Sequence, residues 1–214
     1  MMIRTVGRQV LQRLHLYGLY SLWRKGPLRD DGWFRSFDEQ RSVDSSGQPV
    51  PYITYPAIDF LARRVRPDMA VFEFGSGAST LWWADRVASV VSCEHNPDWY
   101  RAVSDRAPRN VTMMYHALEY GGDYSKAITQ FQDRFDITSI DGRDRVNCAM
   151  NSVGALKHDG VIVWDNSDRK AYEPGYRFLL DQGFRRIEFV GMSPITNERS
   201  ETSIFYRAVN CLRV

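Results

Sequence analysis

Val71-Phe72-Glu73-Phe74-Gly75-Ser76-Gly77-Ala78-Ser79-Thr80 is the stretch from which the rest of the chain can be read. It predicts an apolar strand that runs into a Gly-x-Gly turn and then into a helix, with Ser79 and Thr80 available as caps. Glycine lets the backbone turn sharply and come close to a ligand, and the helix start leaves N–H groups free. Many strand-to-helix turns use glycine for geometry alone, so the context decides. A dinucleotide fingerprint would put a third glycine at position 80, where this chain has Thr. Glu73 stands two residues before the first glycine, where an acid can take a ligand's ammonium or order the loop. Glu94 follows the next apolar run, 17 residues after Gly77, where a carboxylate can chelate the two hydroxyls of a ribose.

Outward from this stretch the pattern repeats. Ala70–Phe74, Val90–Cys93, Val111–Tyr115, Asp136–Ile140 and Val161–Trp164 are short apolar strand candidates. Helical stretches around 79–87, 97–107, 124–132, 145–157 and 172–182 alternate with them. Continuous apolar strands separated by helices imply a parallel sheet covered on both faces. Phe184–Val190 and Thr202–Arg207 have a loop of about 11 residues between them, too short for a crossover helix, and read as an antiparallel pair closing the sheet. The expectation is an α/β domain over 57–214, preceded by a basic helix and an aromatic-rich segment over 1–56. Residues 26–56 are punctuated by Gly26-Pro27, Asp31-Gly32 and three further prolines and read as irregular.

The chain has 214 residues, 43% hydrophobic and 25% charged, a globular composition without a run of apolar residues long enough to span a membrane. Cys93, Cys148 and Cys211 form no Cys-x-x-Cys motif, which speaks against structural zinc or a disulfide scaffold and for a cytoplasmic setting. The net charge of +2 does not argue for nucleic acid. Its distribution is uneven: residues 1–35 hold seven Arg/Lys against Asp30 and Asp31, so the remainder carries −3. No acid occurs in the first 25 residues, and Ile3, Val6, Val10, Leu14 and Tyr17 recur at helical spacing. That helix would pack on the domain or in a homodimer, or rest on an anionic membrane surface or a polyanionic substrate.

From about residue 50 to 207 the chain resembles the class I S-adenosylmethionine-dependent methyltransferases, through the glycine motif Glu73–Thr80, the acid Glu94, a fourth strand ending in Asp141 and the closing strand pair. The resemblance implies a Rossmann-like, mostly parallel seven-stranded sheet. Gly75, Ser76 and Gly77, with Ser79 and Thr80, would hold the methionine end of S-adenosylmethionine, Glu94 its ribose, and His95 with Ala117 and Leu118 its adenine. Tyr55 would close over the cofactor.

Two motifs add to this at the strand ends, Asp141-Gly142-Arg143-Asp144-Arg145 and Asp165-Asn166-Ser167-Asp168-Arg169. They resemble the catechol and caffeoyl-coenzyme A type O-methyltransferases, in which an Asp and an Asp-Asn pair hold a divalent cation. Here Asp141, Asp165 and Asn166 would form that oxygen-only site, suited to Mg2+. That subgroup has a Lys shortly after the first Asp, where this chain has arginine, which stays protonated and can hold an anionic group but not act as a base. In a metal-free alternative, Asp141 orients the cofactor or acts as base, Asp165 caps the next segment, and the arginines pair with Asp144 and Asp168. Asp141, Arg143 and Asp165 are the catalytic candidates in either case.

The acceptor pocket is expected from residues 26–56, Asp165–Tyr172 and Gly191–Ser200, rich in Arg, Asp, Asn and aromatic rings. That lining suits a sugar or another polar hydroxylated small molecule. A nucleic-acid or protein methyltransferase docking through the basic segment, and a non-catalytic cofactor-binding scaffold, are the alternatives.

Overall fold

The computed structural model describes residues 2–214, with side chains from Gly7 onward. The Ile3 and Val6 positions of the N-terminal apolar stripe therefore lie outside the described side chains. In chain order the elements are α1 (Met2–Arg13), α2 (Tyr17–Arg24), α3 (Pro27–Asp30), α4 (Trp33–Glu39), α5 (Tyr55–Ala62), β1 (Ala70–Phe74), α6 (Ala78–Ala84), β2 (Ser89–Glu94), α7 (Pro97–Ser104), β3 (Val111–Tyr115), α8 (Asp123–Lys126), β4 (Phe135–Ile140), α9 (Arg145–Ser152), β5 (Leu156–Asp165), α10 (Glu173–Asp181), β6 (Arg185–Met192) and β7 (Arg199–Tyr206). The seven strands form one sheet in the order β3-β2-β1-β4-β5-β7-β6. The first five strands run parallel, and β7 lies antiparallel between β5 and β6. The chain order reverses between β1 and β4, which places the ligand crevice of an open α/β sheet at their carboxyl ends.

Burial follows strand position. Every residue of β4 is buried, whereas β3 at the sheet edge has none that is. Successive side chains go to opposite faces. Phe72, Phe74, Ile162, Trp164 and Phe205 pack with the α8–α10 side of the sheet. Val71, Ile137, Val163 and Ile204 pack with Leu61, Trp82 and Trp83 from α5 and α6 on the other.

The differences from the sequence reading are local. The expected helix over 124–132 is one turn of α-helix followed by a 3-10 turn at Ala127–Gln130. The stretch read as irregular contains two short helices, each beginning just after a glycine at positive φ, Gly26 (124°) and Gly32 (88°). Val43, Val50 and Ile53 are buried, and Thr54 is bonded to both closing strands: its N–H donates to Thr202 Oγ1 (3.0 Å) and its hydroxyl to the Phe189 carbonyl (3.0 Å). This part of the N-terminal segment is thus built into the domain beside the carboxyl end of the sheet.

Candidate functional site

The glycine loop is held from two sides. Gly75 (φ 91°) and Gly77 (φ 153°) adopt backbone conformations that disfavour a side chain. A Cβ on Gly75 would lie 3.0 Å from Gly142 Cα, so the loops after β1 and β4 touch backbone to backbone. Gly142 is equally constrained, since a Cβ there would fall 2.0 Å from the hydroxyl of the buried Tyr124.

Glu94, at the end of β2 and 3% exposed, fastens the loop. Its Oε2 accepts from the N–H and the hydroxyl of Ser76, 2.9 Å each, and its Oε1 from the N–H groups of His95 and Asn96, 2.8 Å each. Only the Ser76 hydroxyl among these donors can rotate away to admit a ligand hydroxyl. Asn96 caps α7 by accepting from the N–H groups of Asp98 (3.0 Å) and Trp99 (2.9 Å). Trp99 then donates from Nε1 to the Ser76 carbonyl at 2.6 Å and lays its ring against Gly77.

Beneath the loop, Glu73 Oε2 accepts from the hydroxyls of Thr80 (2.5 Å) and Ser92 (2.9 Å), and Thr80 Oγ1 in turn accepts the Gly77 N–H at 2.9 Å. Its other oxygen is buried without a partner, and burial pushes the carboxyl up to about 7.

At the ends of β4 and β5, Arg145 is folded back into the site, 7% exposed. Asp144, at φ 48°, makes the reversal that starts α9 and sends the Arg145 side chain across the strand ends. Nη2 donates to Asp141 Oδ1 (2.9 Å) and Nε to the Gly142 carbonyl (3.0 Å). Nη1 donates to the Asp165 carbonyl and lies 3.9 Å from Asp165 Oδ2. Asp165 is 3% exposed, and Thr202 donates to its Oδ1 at 2.7 Å. Burial raises both carboxyls above the ordinary aspartate range; for Asp165 the neighbouring charge of Asp141 adds to the shift, and for Asp141 the Arg145 cation opposes it.

These pieces line one cavity of about 1120 Å³. It runs from Gly75, Ser76 and Glu94 past Asp141 and Asp165 to Arg143 and Arg169, with Ser193, Thr196 and Ser200 as its far wall. Ligand pockets usually enclose about 300–1,000 Å³, so there is room for a cofactor and an acceptor together. A smaller cavity of about 350 Å³ lies on the other side of Trp99 and Ser76, against Arg41, Ser42 and Arg106.

No protein-family model matches the chain, and neither does any curated protein. Solved structures do. Precorrin 8w decarboxylase from Methanobacterium thermoautotrophicum superposes with a TM-score of 0.56 over 80% of this chain and 98% of its own, at 19% identity. An S-adenosylmethionine-dependent O-methyltransferase from Thermotoga maritima gives 0.52 over 74% and 67%, at 16% identity. Spermidine synthase from the same organism gives 0.53 over 70% of this chain, at 14% identity. The chain spans only 57% of that synthase's length. The fold is that of the class I S-adenosylmethionine-dependent methyltransferases.

Within this methyltransferase fold, Gly75, Ser76, Ser79, Glu94, His95, Asp141, Arg143, Asp165 and Asn166 all line the large cavity, and Gly77 and Ser79 line the smaller one. Other expected residues fall elsewhere. Glu73 and Thr80 lie under the loop as its internal brace and reach neither cavity. Ala117 and Leu118 are exposed on the connection that leaves β3, outside these two cavities. Tyr55 faces the α4 side near Asp31, whereas Tyr52, three residues earlier, lines both cavities.

The expected Mg2+ site at Asp141, Asp165 and Asn166 does not fit. Its centre is bridged by the Arg145 guanidinium, a cation with its own fixed directions of donation. Thr202 engages Asp165, and Asn166, at φ 51°, donates its amide to Ser200 Oγ at 3.3 Å. The alternative pairing of Arg145 with Asp144 is not formed either, because Asp144 accepts from the Gly121 N–H (2.7 Å) and from Asn147 Nδ2 (2.8 Å).

Tyr52 and Trp99 are contributors that the sequence reading passed over, and Arg145, read there as a partner of Asp144 or Asp168, joins Asp141 and Asp165 instead. Asn96 was the available signal for Trp99: an Asn-Pro pair after a strand starts a helix, and the third residue on faces back over the preceding loop.

Proposed function

We propose that the protein is an S-adenosylmethionine-dependent methyltransferase acting on a hydroxyl of a polar small molecule or sugar. The observation that carries this reading is the single cavity joining the Glu94-braced glycine loop to the Asp141–Arg145–Asp165 cluster. The cofactor supplies an electrophilic methyl group. Glu94 and Ser76 hold the ribose, the Ser76 hydroxyl swinging aside for a ribose hydroxyl, and Trp99 fixes the loop around the methionine end. Asp141 is the more accessible of the two carboxylates, its side chain 25% exposed against 4% for Asp165, and takes the acceptor proton. Its raised basicity suits that role. Arg145 stays charged and aligns both carboxylates without a metal ion. Arg143 is exposed in the cavity and in no ion pair among the described residues, so it is placed to hold an anionic or strongly polar group of the acceptor. Three free, buried cysteines accord with a cytoplasmic setting.

Glu94→Ala tests the cofactor assignment. It removes the acceptor of three backbone N–H groups as well as the ribose contact. Affinity for S-adenosylhomocysteine is expected to fall by at least about tenfold, the scale of one charged hydrogen bond. Unchanged affinity in calorimetry would sink the assignment.

A further inference from the structure

The first two helices stand apart from the chemistry just described. No residue of α2 is buried, and among the side chains that α1, α2 and the turn between them leave in solvent are several large apolar ones: Leu14 is 60% exposed, Leu19 59% and Trp23 57%, with Val10, Leu16 and Tyr20 also open. A groove of about 360 Å³ lined by Leu11, Leu16, Leu19, Tyr20, Trp23 and Phe34 runs through this patch. Soluble surfaces rarely gather so many large apolar side chains without a partner.

The charged residues within α1, α2 and the turn between them are all of one sign. Arg8, Arg13, Arg24, Lys25 and Arg29 are interspersed along the same stretch of chain, and the first acid in the chain is Asp30. The ion pairs of the described residues begin, in chain order, only at Arg35. Arg8 lies over the Tyr17 ring at 4.9 Å, tying the two helices together. The hairpin is also placed with respect to the cavity. It leads through α3 into α4, where Trp33 Nε1 donates to the Thr196 carbonyl at 2.7 Å in the far wall of the large cavity.

We propose that the α1–α2 hairpin docks the protein on an anionic lipid bilayer, with Leu14, Leu19 and Trp23 entering the boundary between headgroups and acyl chains. Arg13, Arg24 and Lys25 meet the lipid phosphates. Apolar residues backed by cations and accompanied by Trp and Tyr match an interfacial helix. A second copy of this chain fits less well, because a self-complementary contact would bring two strongly cationic segments together. A nucleic acid would satisfy the cations and leave the leucines in water.

Flotation of the full chain with vesicles tests this. Phosphatidylcholine vesicles with roughly a third phosphatidylglycerol should bind at least about tenfold more protein than phosphatidylcholine alone, and high salt should reverse the difference. Leu19→Glu with Trp23→Glu, both exposed, should abolish binding while leaving the circular-dichroism melt unchanged. Arg13→Glu with Lys25→Glu should do the same through charge alone. Equal binding to both vesicle types, no binding to either, or full binding by the double variants would overturn the proposal. So would a wild-type dimer in ultracentrifugation that Leu19→Glu with Trp23→Glu converts to monomer without any vesicle binding, which would assign the face to a second copy.

Discussion

Glu73 and Glu94 are both buried carboxylates beside one glycine loop, yet they differ in what satisfies them. Glu94 accepts from three backbone N–H groups and a hydroxyl. Glu73 accepts from two hydroxyls and keeps one bare oxygen. Burial therefore dominates for Glu73 and lifts its carboxyl from 4.5 to about 7. The folded state then holds a proton that the unfolded chain has released, so stability falls as pH rises from 4.5 to about 7. The loss attached to this residue is on the order of a few kcal/mol. Glu73→Gln keeps an acceptor for Thr80 and Ser92 and removes the titration. Urea unfolding at pH 5 and pH 8 should show a smaller drop in stability for the variant than for the wild type, and equal drops would contradict this account of the carboxyl. In the sequence, Glu73 and Glu94 both stood as ligand candidates; their hydrogen bonds and the cavity lining separate them, with Glu73 bracing the loop from beneath and Glu94 reaching the cavity.

At the scale of elements, the sheet was legible because its strands are short apolar runs set between helices, and the loop after β6 is too short for a crossover. The convergence of Asp141 and Asp165 was legible too, since both end parallel neighbours in one sheet. What fills the space between them was not. Arg143 and Arg145 are two residues apart, and the choice of which turns inward is made by the positive φ of Asp144, which composition does not reveal. The same holds for Tyr52 and Tyr55, whose directions depend on where α5 begins. Arg145 is the counter-ion of the buried Asp165 and the half-buried Asp141, so Arg145→Met should cost about 3–5 kcal/mol of stability, measured by urea unfolding. A loss under about 1 kcal/mol, typical of an exposed pair, would show that the guanidinium is not the hub of the strand ends.

Over the whole molecule, the packed domain and the exposed hairpin answer to different constraints. The domain holds its core on two faces of one sheet and builds the Val43–Thr54 segment into it, across the boundary expected near residue 56. Among the described residues, the α1–α2 hairpin adds none to either core cluster. Removing residues 1–25 should therefore shift the melting temperature by less than about 2 °C and leave S-adenosylhomocysteine affinity unchanged. A large drop in the melting temperature would mean that the hairpin supports the domain.

Calorimetric titration of S-adenosylhomocysteine into the intact protein, once with magnesium and once with EDTA, tests the central claim most directly. The cavity and its Arg145-bridged carboxylates predict micromolar or tighter binding, equal in the two buffers. Absence of binding in both would contradict the methyltransferase reading and leave a fold without its cofactor; binding that required magnesium would contradict the place given to Arg145.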